Sequence, residues 1–143
     1  MIIIAPYARG TQSGKINPKN YPYWKELLEL IKEPVIQIGI EGEKQLTEDF
    51  VIGQSLKELA ELVKECRTWI SVDSFFQHFC WKLGKPGVVL FSQSDPNIFG
   101  HKENINLLKS REYLRQQQFW LWDQTVYNKD AYITPEEVYK HLV

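Results

Sequence analysis

The chain has 143 residues, with Lys+Arg 17 against Asp+Glu 18 and a net charge of -1. That balance lacks the basic field of a nucleic-acid binder, and 43% hydrophobic with 13% aromatic residues excludes a disordered chain. The length fits one domain with a full core, or half of a two-domain enzyme. No apolar run approaches the ~20 residues of a membrane span, and no charged-then-apolar leader opens the sequence. A soluble cytoplasmic protein is expected. Cys66 and Cys80 fall at apolar positions of expected helices, which reads as two core thiols in a reducing compartment ahead of a disulfide.

In chain order, Ile2 to Ala5 is wholly apolar and β-branched, the pattern of a strand covered on both faces. It starts directly after Met1, so the chain either begins at its first buried strand or corresponds to half of something larger. The polar segment 7–22 invites comparison with a P-loop and fails it. Arg9 stands where the first glycine belongs, Ile16 where Ser or Thr would meet magnesium, and Pro18 and Pro22 bar a long helix after Lys15. A loop carrying Arg9, Lys15 and Lys19 remains, suited to phosphate or simply solvated.

Trp24, Leu27, Leu28 and Ile31 share one helical stripe. Pro34 ends that helix, and the run from Val35 to Ile40 is the next strand. Its exit, Gly39-Ile40-Glu41-Gly42-Glu43, places two carboxylates at a strand's carboxyl end, where ribose hydroxyls are often held; an ordinary surface turn is the alternative. Phe50 to Ile52 is a third strand. Ser55 with Glu58 forms an S-x-x-E capping box ahead of the stripe Leu56, Leu59, Ala60, Val63, Cys66.

Thr68 to Val72 is the fourth strand and stops at Asp73-Ser74. Ser74 with Gln77 makes a second capping-box pair, which predicts a helix N-terminus at Ser74 with its positive dipole end facing the ligand-binding edge. Phe75, Phe76, Phe79, Cys80 and Leu83 are its expected buried stripe. His78, one turn on, either packs or reaches the same ligand. Gly84 ends the helix, and Val88 to Phe91 is a fifth strand ending in Ser92-Gln93-Ser94-Asp95.

Residues 97–106 read as an irregular loop. Trp120 and Trp122, at period two, read as one face of a strand or as packing on the sheet edge. Thr134-Pro135-Glu136-Glu137 starts a closing helix that runs to about Leu142. The expectation is a single Rossmann-like α/β domain over 1–143, with a mostly parallel sheet of about five to six strands and helices on both faces. Residues 107–143 form an irregular, aromatic-rich tail and closing helix.

The segments D-S-F-F-Q-H and W-K-L-G-K-P-G-V-V-L-F-S-Q-S-D-P resemble the signature of family 9 glycosyltransferases, the heptosyltransferase family. S-L-K-E-L-A-E-L-V, I-G-I-E-G-E, K-N-Y-P and the final T-P-E-E-V-Y-K-H-L resemble further family segments in the same order. The resemblance covers the family's C-terminal half only, the Rossmann-like donor-binding domain of a GT-B enzyme. It implies transfer of a sugar from a nucleotide-diphosphate sugar with inversion, and no cofactor or metal. Arg9, Lys15, Lys19 and Ser74 would bind the donor diphosphate, and Gly39, Glu43 and Ser55 the ribose or base. Asp73 would meet the sugar and His78 would support its loop.

Two departures from the pattern bear on function. Phe75 replaces the glycine that admits close backbone approach, and Ser92-Gln93 replaces Gly-Pro. The family's general base comes from the acceptor domain, so no catalytic residue is assignable here. A separate acceptor-domain chain or self-association is therefore expected. The alternative is a non-catalytic nucleotide-sugar-binding or protein-interaction module of the same fold.

Overall fold

Short β-branched runs become strands when both of their faces can be covered, and this chain supplies several. The computed structural model describes residues 1–10 and 16–143. Among them are six strands: β1 (Ile2–Ala5), β2 (Val35–Gly39), β3 (Asp49–Ile52), β4 (Thr68–Val72), β5 (Val88–Phe91) and β6 (Ile105–Leu108). They form one sheet in the order β3-β2-β1-β4-β5-β6, and every pairing is parallel. The chain walks outward from β1 to β3, then returns beside β1, where Ile4 pairs with Ile70 and Ala5 with Ser71. The loops after β1 and β4 therefore diverge at this point, which is where open α/β sheets receive ligands.

The helices are α1 (Trp24–Leu30), α2 (Leu56–Glu65), α3 (Phe75–Lys82), α4 (Pro96–Phe99) and α5 (Pro135–Lys140). Alternation along the strands divides the core between the two faces. Ile2, Ile4, Ile70, Val72, Val88 and Leu90 pack with Trp24 and Leu27 of α1 and Val138 of α5. Ile3, Trp69, Val89 and Phe91 pack with Val63 of α2 and Phe76 and Cys80 of α3. Both cysteines are free and buried. Among the described residues no helix is long and apolar enough to cross a membrane.

Three local expectations are corrected. Residues 97–106 contain most of α4 and the start of β6 rather than irregular loop. Asp95 caps α4 by accepting from the Asn97 N–H at 2.9 Å, and β6 pairs with β5 from Ile105 to Leu108. The span around Trp120 and Trp122 contains no strand; Trp122 begins a short 3-10 turn. Phe75, expected on the buried stripe of α3, is 64% exposed. It is the first helical residue after the β4 exit, so its side chain lies beyond the sheet that covers Phe76 and Cys80.

Candidate functional site

Asp73 follows β4 directly at the switch between β1 and β4, and it is only 3% exposed. A buried carboxylate needs partners, and two converge on it. Gln77 Nε2, one helical turn on, donates to Asp73 Oδ1 at 2.6 Å. Lys19 Nζ, from the loop after β1, stands 3.2 Å from Asp73 Oδ2. That contact is ionic, since Oδ2 accepts no well-aligned hydrogen bond.

The position of Lys19 follows from the turn that carries it. The Lys19 N–H donates to Asn17 Oδ1 at 2.9 Å, and Asn17 Nδ2 donates to the Arg9 carbonyl at 2.7 Å. Asn20 Oδ1 accepts from the Ala8 N–H at 2.8 Å. The hydroxyl of Tyr132 donates to the Pro18 carbonyl from the far end of the chain. Lys19 is thus presented by a turn fastened at both ends, and its ammonium also lies 4.8 Å from the Trp122 ring centroid.

Trp122 arrives on a strap organised by Arg115. The Arg115 guanidinium donates to the carbonyls of Gln118 and Trp120 and to Thr125 Oγ1, at 2.7–2.9 Å, and lies 3.6 Å from the Trp122 centroid. Burial lowers the Arg115 pKa, and Asp73 opposes that shift. The strap is tied to the exit of β5. Gln93 Nε2 donates to the Val126 carbonyl, the Gln93 carbonyl accepts from the Arg115 N–H and Gln118 Nε2, and Arg111 grips Asp95 at 2.9 Å and 3.1 Å. That pairing first, helped by the Asn97 N–H, holds the Asp95 carboxyl below the usual range.

Ser74 is the N-cap of α3, as expected, but its side chain makes no cap hydrogen bond. The anticipated box with Gln77 is absent, and the Gln77 side chain is directed instead to Asp73, to which its Nε2 donates. The first-turn N–H groups of α3 therefore lack the partner that Ser55 Oγ gives the Glu58 N–H of α2, at 3.1 Å. His78 lies within 2.7 Å of His101, Nδ1 to Nε2, and His101 stacks on Trp81 with centroids 4.5 Å apart. Desolvation first, then His101, hold the His78 imidazole below the ordinary range, against the pull of Asp73.

The structure brings Lys19, Asp73 and Ser74 together, with His78 one turn away. Gly39, Glu43 and Ser55 lie on the β2 and β3 side. Glu43 folds back on its own turn: its Oε1 accepts from the Ile40 N–H at 2.8 Å. A Cβ on Gly39 would come within 2.2 Å of that oxygen, so a larger residue there would push the Glu43 side chain off this hydrogen bond. Burial raises the Glu43 pKa, and Tyr7, with its own pKa raised first by burial and then by Glu43, stands beside it. Ser55 is engaged as the α2 cap. The Arg9 side chain is exposed, and Lys15 lies outside the described residues. Gln77, Gln93, Arg115, Gln118 and Trp122 were not anticipated. Gln77 carried a capping signal, Gln93 lay in the polar exit of the fifth strand and Trp122 showed a period-two pattern, but none of these signals pointed to the role each has here; Arg115 and Gln118 carried none. Two clefts of about 260 and 490 Å³ lie at the opposite, amino edge of the sheet, beside Arg67 and Tyr139 and beside Trp81 and Asn104. They are separate from this constellation.

The model of glycosyltransferase family 9 (heptosyltransferase) matches residues 51–120, the span that runs from β3 through Asp73-Ser74 to the strap. Over that span the chain is similar to the heptosyltransferase family. Its fold is similar to that of part of the E. coli ADP-heptose lipopolysaccharide heptosyltransferase II, with TM-score 0.65 and 18% identity over 99% of this chain and 45% of that one. A second solved structure is a dodecameric iron-containing heptosyltransferase, TibC, in complex with ADP-D-beta-D-heptose. It gives TM-score 0.57 and 14% identity over 96% of this chain and 36% of that one. The chain thus spans less than half the length of either protein. No curated protein sequence matches it. Among its described residues, no group of three or more His, Cys, Asp or Glu is placed to hold a metal ion.

Proposed function

We propose that this chain is the donor-binding half of a metal-independent, inverting glycosyltransferase that takes a nucleotide-diphosphate sugar at the carboxyl edge of its sheet. The observation that carries the reading is Lys19 held beside Asp73-Ser74 at the β1/β4 switch, with the N-terminus of α3 left uncapped by side chains. As a glycosidic bond to a diphosphate breaks, negative charge grows on the leaving phosphate. A fixed ammonium and free N–H groups aimed there stabilise that charge more in the transition state than in the ground state. Lys19, Ser74, Arg9 and Lys15 are assigned to the diphosphate, Gly39, Glu43 and Ser55 to the ribose or base, and His78 to support of the Asp73 loop. Asp73 is assigned to the sugar once Lys19 has turned to the phosphates. The general base is assigned to an acceptor half on another chain, segment or copy.

A second reading, a nucleotide-sugar-binding or protein-docking module without catalysis, is favoured by one observation. Phe75 stands 64% exposed where the family pattern has glycine, so backbone approach to a donor is more restricted. A thermal-shift screen with ADP, UDP, GDP, CMP and their sugar conjugates tests the nucleotide site common to the donor-binding and nucleotide-module readings. A ligand at about 100 times its dissociation constant adds ~2.7 kcal/mol, a midpoint rise of roughly 2–6 °C for this size. We expect that rise with one nucleotide family, ADP being the first to try given the ligand of the TibC structure. No rise with any of them overturns the proposed site. Transfer to acceptor after addition of a complementary half separates enzyme from binding module.

A further inference from the structure

We infer that Gln77 is a positioning residue for the anion site: its buried amide fixes the Asp73 carboxylate, and Asp73 in turn sets where the Lys19 ammonium stands. This rests on the proposed nucleotide site for its functional meaning, though not for its geometry.

Gln77 is fully buried, a place where a flexible, two-ended amide is unfavourable unless it is used. Packing alone would be served by leucine or methionine. Its Nε2 makes one hydrogen bond, to Asp73 Oδ1 at 2.6 Å, while its Oε1 has no protein partner. The amide therefore serves the carboxylate and little else. A carboxylate otherwise turns about its last torsion with only a broad, two-fold preference. With Oδ1 claimed by Gln77, Oδ2 is the oxygen left to face Lys19 Nζ at 3.2 Å. The linkage runs from the third residue of α3 to the loop after β1, across the switch point. At the corresponding position of α2, Glu58 is spent on its own helix's cap, so the use of Gln77 is a property of this site and not of helix starts in this chain.

The charged and titratable groups that face Asp73 are Lys19 from the β1 loop, Arg115 from the strap, and His78 from α3 with His101 behind it. All four are retained in a Gln77→Glu variant, so the wild type controls for their titration. In that variant two carboxylates share the place of one hydrogen bond. Like charges so close keep a shared proton at low pH and lose it as pH rises. Below that step the site carries the wild-type charge; above it, an extra negative charge holds Lys19 and repels an anionic ligand.

The test is titration of full-length wild type and Gln77→Glu with ADP at about pH 5.5 and about pH 8. We expect the variant to lose affinity by about tenfold relative to wild type between the two pH values. A variant profile that superimposes on the wild type overturns the inference. A second arm needs no ligand and covers a Gln77→Glu chain that does not fold. Gln77→Met keeps the volume and removes the donor. Acetylation of Lys19 by acetic anhydride, read by mass spectrometry against the exposed Lys57, is expected to quicken about threefold or more as the ammonium loses its fixed partner. An unchanged Lys19 rate contradicts the positioning role. If that rate rises while no nucleotide binds the wild type, the linkage stands and the nucleotide reading fails.

Discussion

Helix α2 begins Ser55-Leu56-Lys57-Glu58 and helix α3 begins Ser74-Phe75-Phe76-Gln77, so each has a hydroxyl at its N-cap and a carboxylate or amide three residues on. At α2 the two side chains satisfy the helix: Ser55 Oγ accepts from the Glu58 N–H, and Glu58 reaches back to the Ser55 N–H. At α3 neither happens. Asp73, immediately before the cap, is buried and needs the amide, so Gln77 turns to it. The α2 start lies at an exposed corner beyond β3, where water competes and a local box is the best use of the polar groups. The α3 start lies at the sheet's switch point against a buried carboxylate and a cation from β1. One local pattern thus has two outcomes, decided by what stands next to it.

The comparison can be broken in three ways, in falling order of expected effect. Asp73→Ala leaves the Gln77 amide without an acceptor and the largely covered Lys19 ammonium without its ion partner. Breaking such a pair from one side costs about 3 kcal/mol, to be read as a lowered urea midpoint. A loss below about 1 kcal/mol would mean that Asp73 is not a structural hub. Ser55→Ala should cost about 1 kcal/mol by loss of a working cap. Ser74→Ala, where no cap bond exists, should cost less than about half of that while weakening ADP binding. Equal stability losses for the two serines would remove the distinction drawn between the helix starts.

The smallest effect concerns pH. His78 has its pKa lowered in the folded protein, chiefly by desolvation and then by His101. The unfolded chain therefore binds the proton more readily, and stability rises with pH through the window below the ordinary histidine value of about 6.5. That contribution is present above about 6.5 and is lost as pH falls toward the lowered folded value. Urea midpoints taken from about pH 7 down to about pH 5 should fall. His78→Gln should reduce that slope, and an unchanged slope would show that His78 does not report on the α3 site.

Much of the fold was legible because its signals are local. The runs Ile2 to Ala5 and Val88 to Phe91 are apolar throughout, and Thr68 to Val72 is broken only by Thr68 and Ser71; short runs of this kind suit strands covered on both faces. Strand β6 was missed because Asn106 interrupts a four-residue edge strand whose pattern is no stronger than that of a loop. Phe75 obeys the helical period, yet the sheet ends before it, and period alone carries no information on where cover stops. At the candidate site, Lys19, Asp73 and Ser74 could be singled out from their places after β1 and β4. Arg115, Gln93 and Trp122 could not, since their contacts join the β5 exit and the β1 loop to a strap with no periodic pattern. The role of Gln77 was hidden by a capping signature that is sound at Ser55 and overridden at Ser74.

The most direct test of the central claim is calorimetric titration of ADP into wild type, Lys19→Ala and Ser55→Ala. The account predicts measurable binding to the wild type and to Ser55→Ala alike, and a loss of about tenfold or more, ~1.4 kcal/mol, for Lys19→Ala. Equal affinity in all three would place nucleotide binding elsewhere on the chain and contradict a site built on Lys19 and Asp73 at the β1/β4 switch.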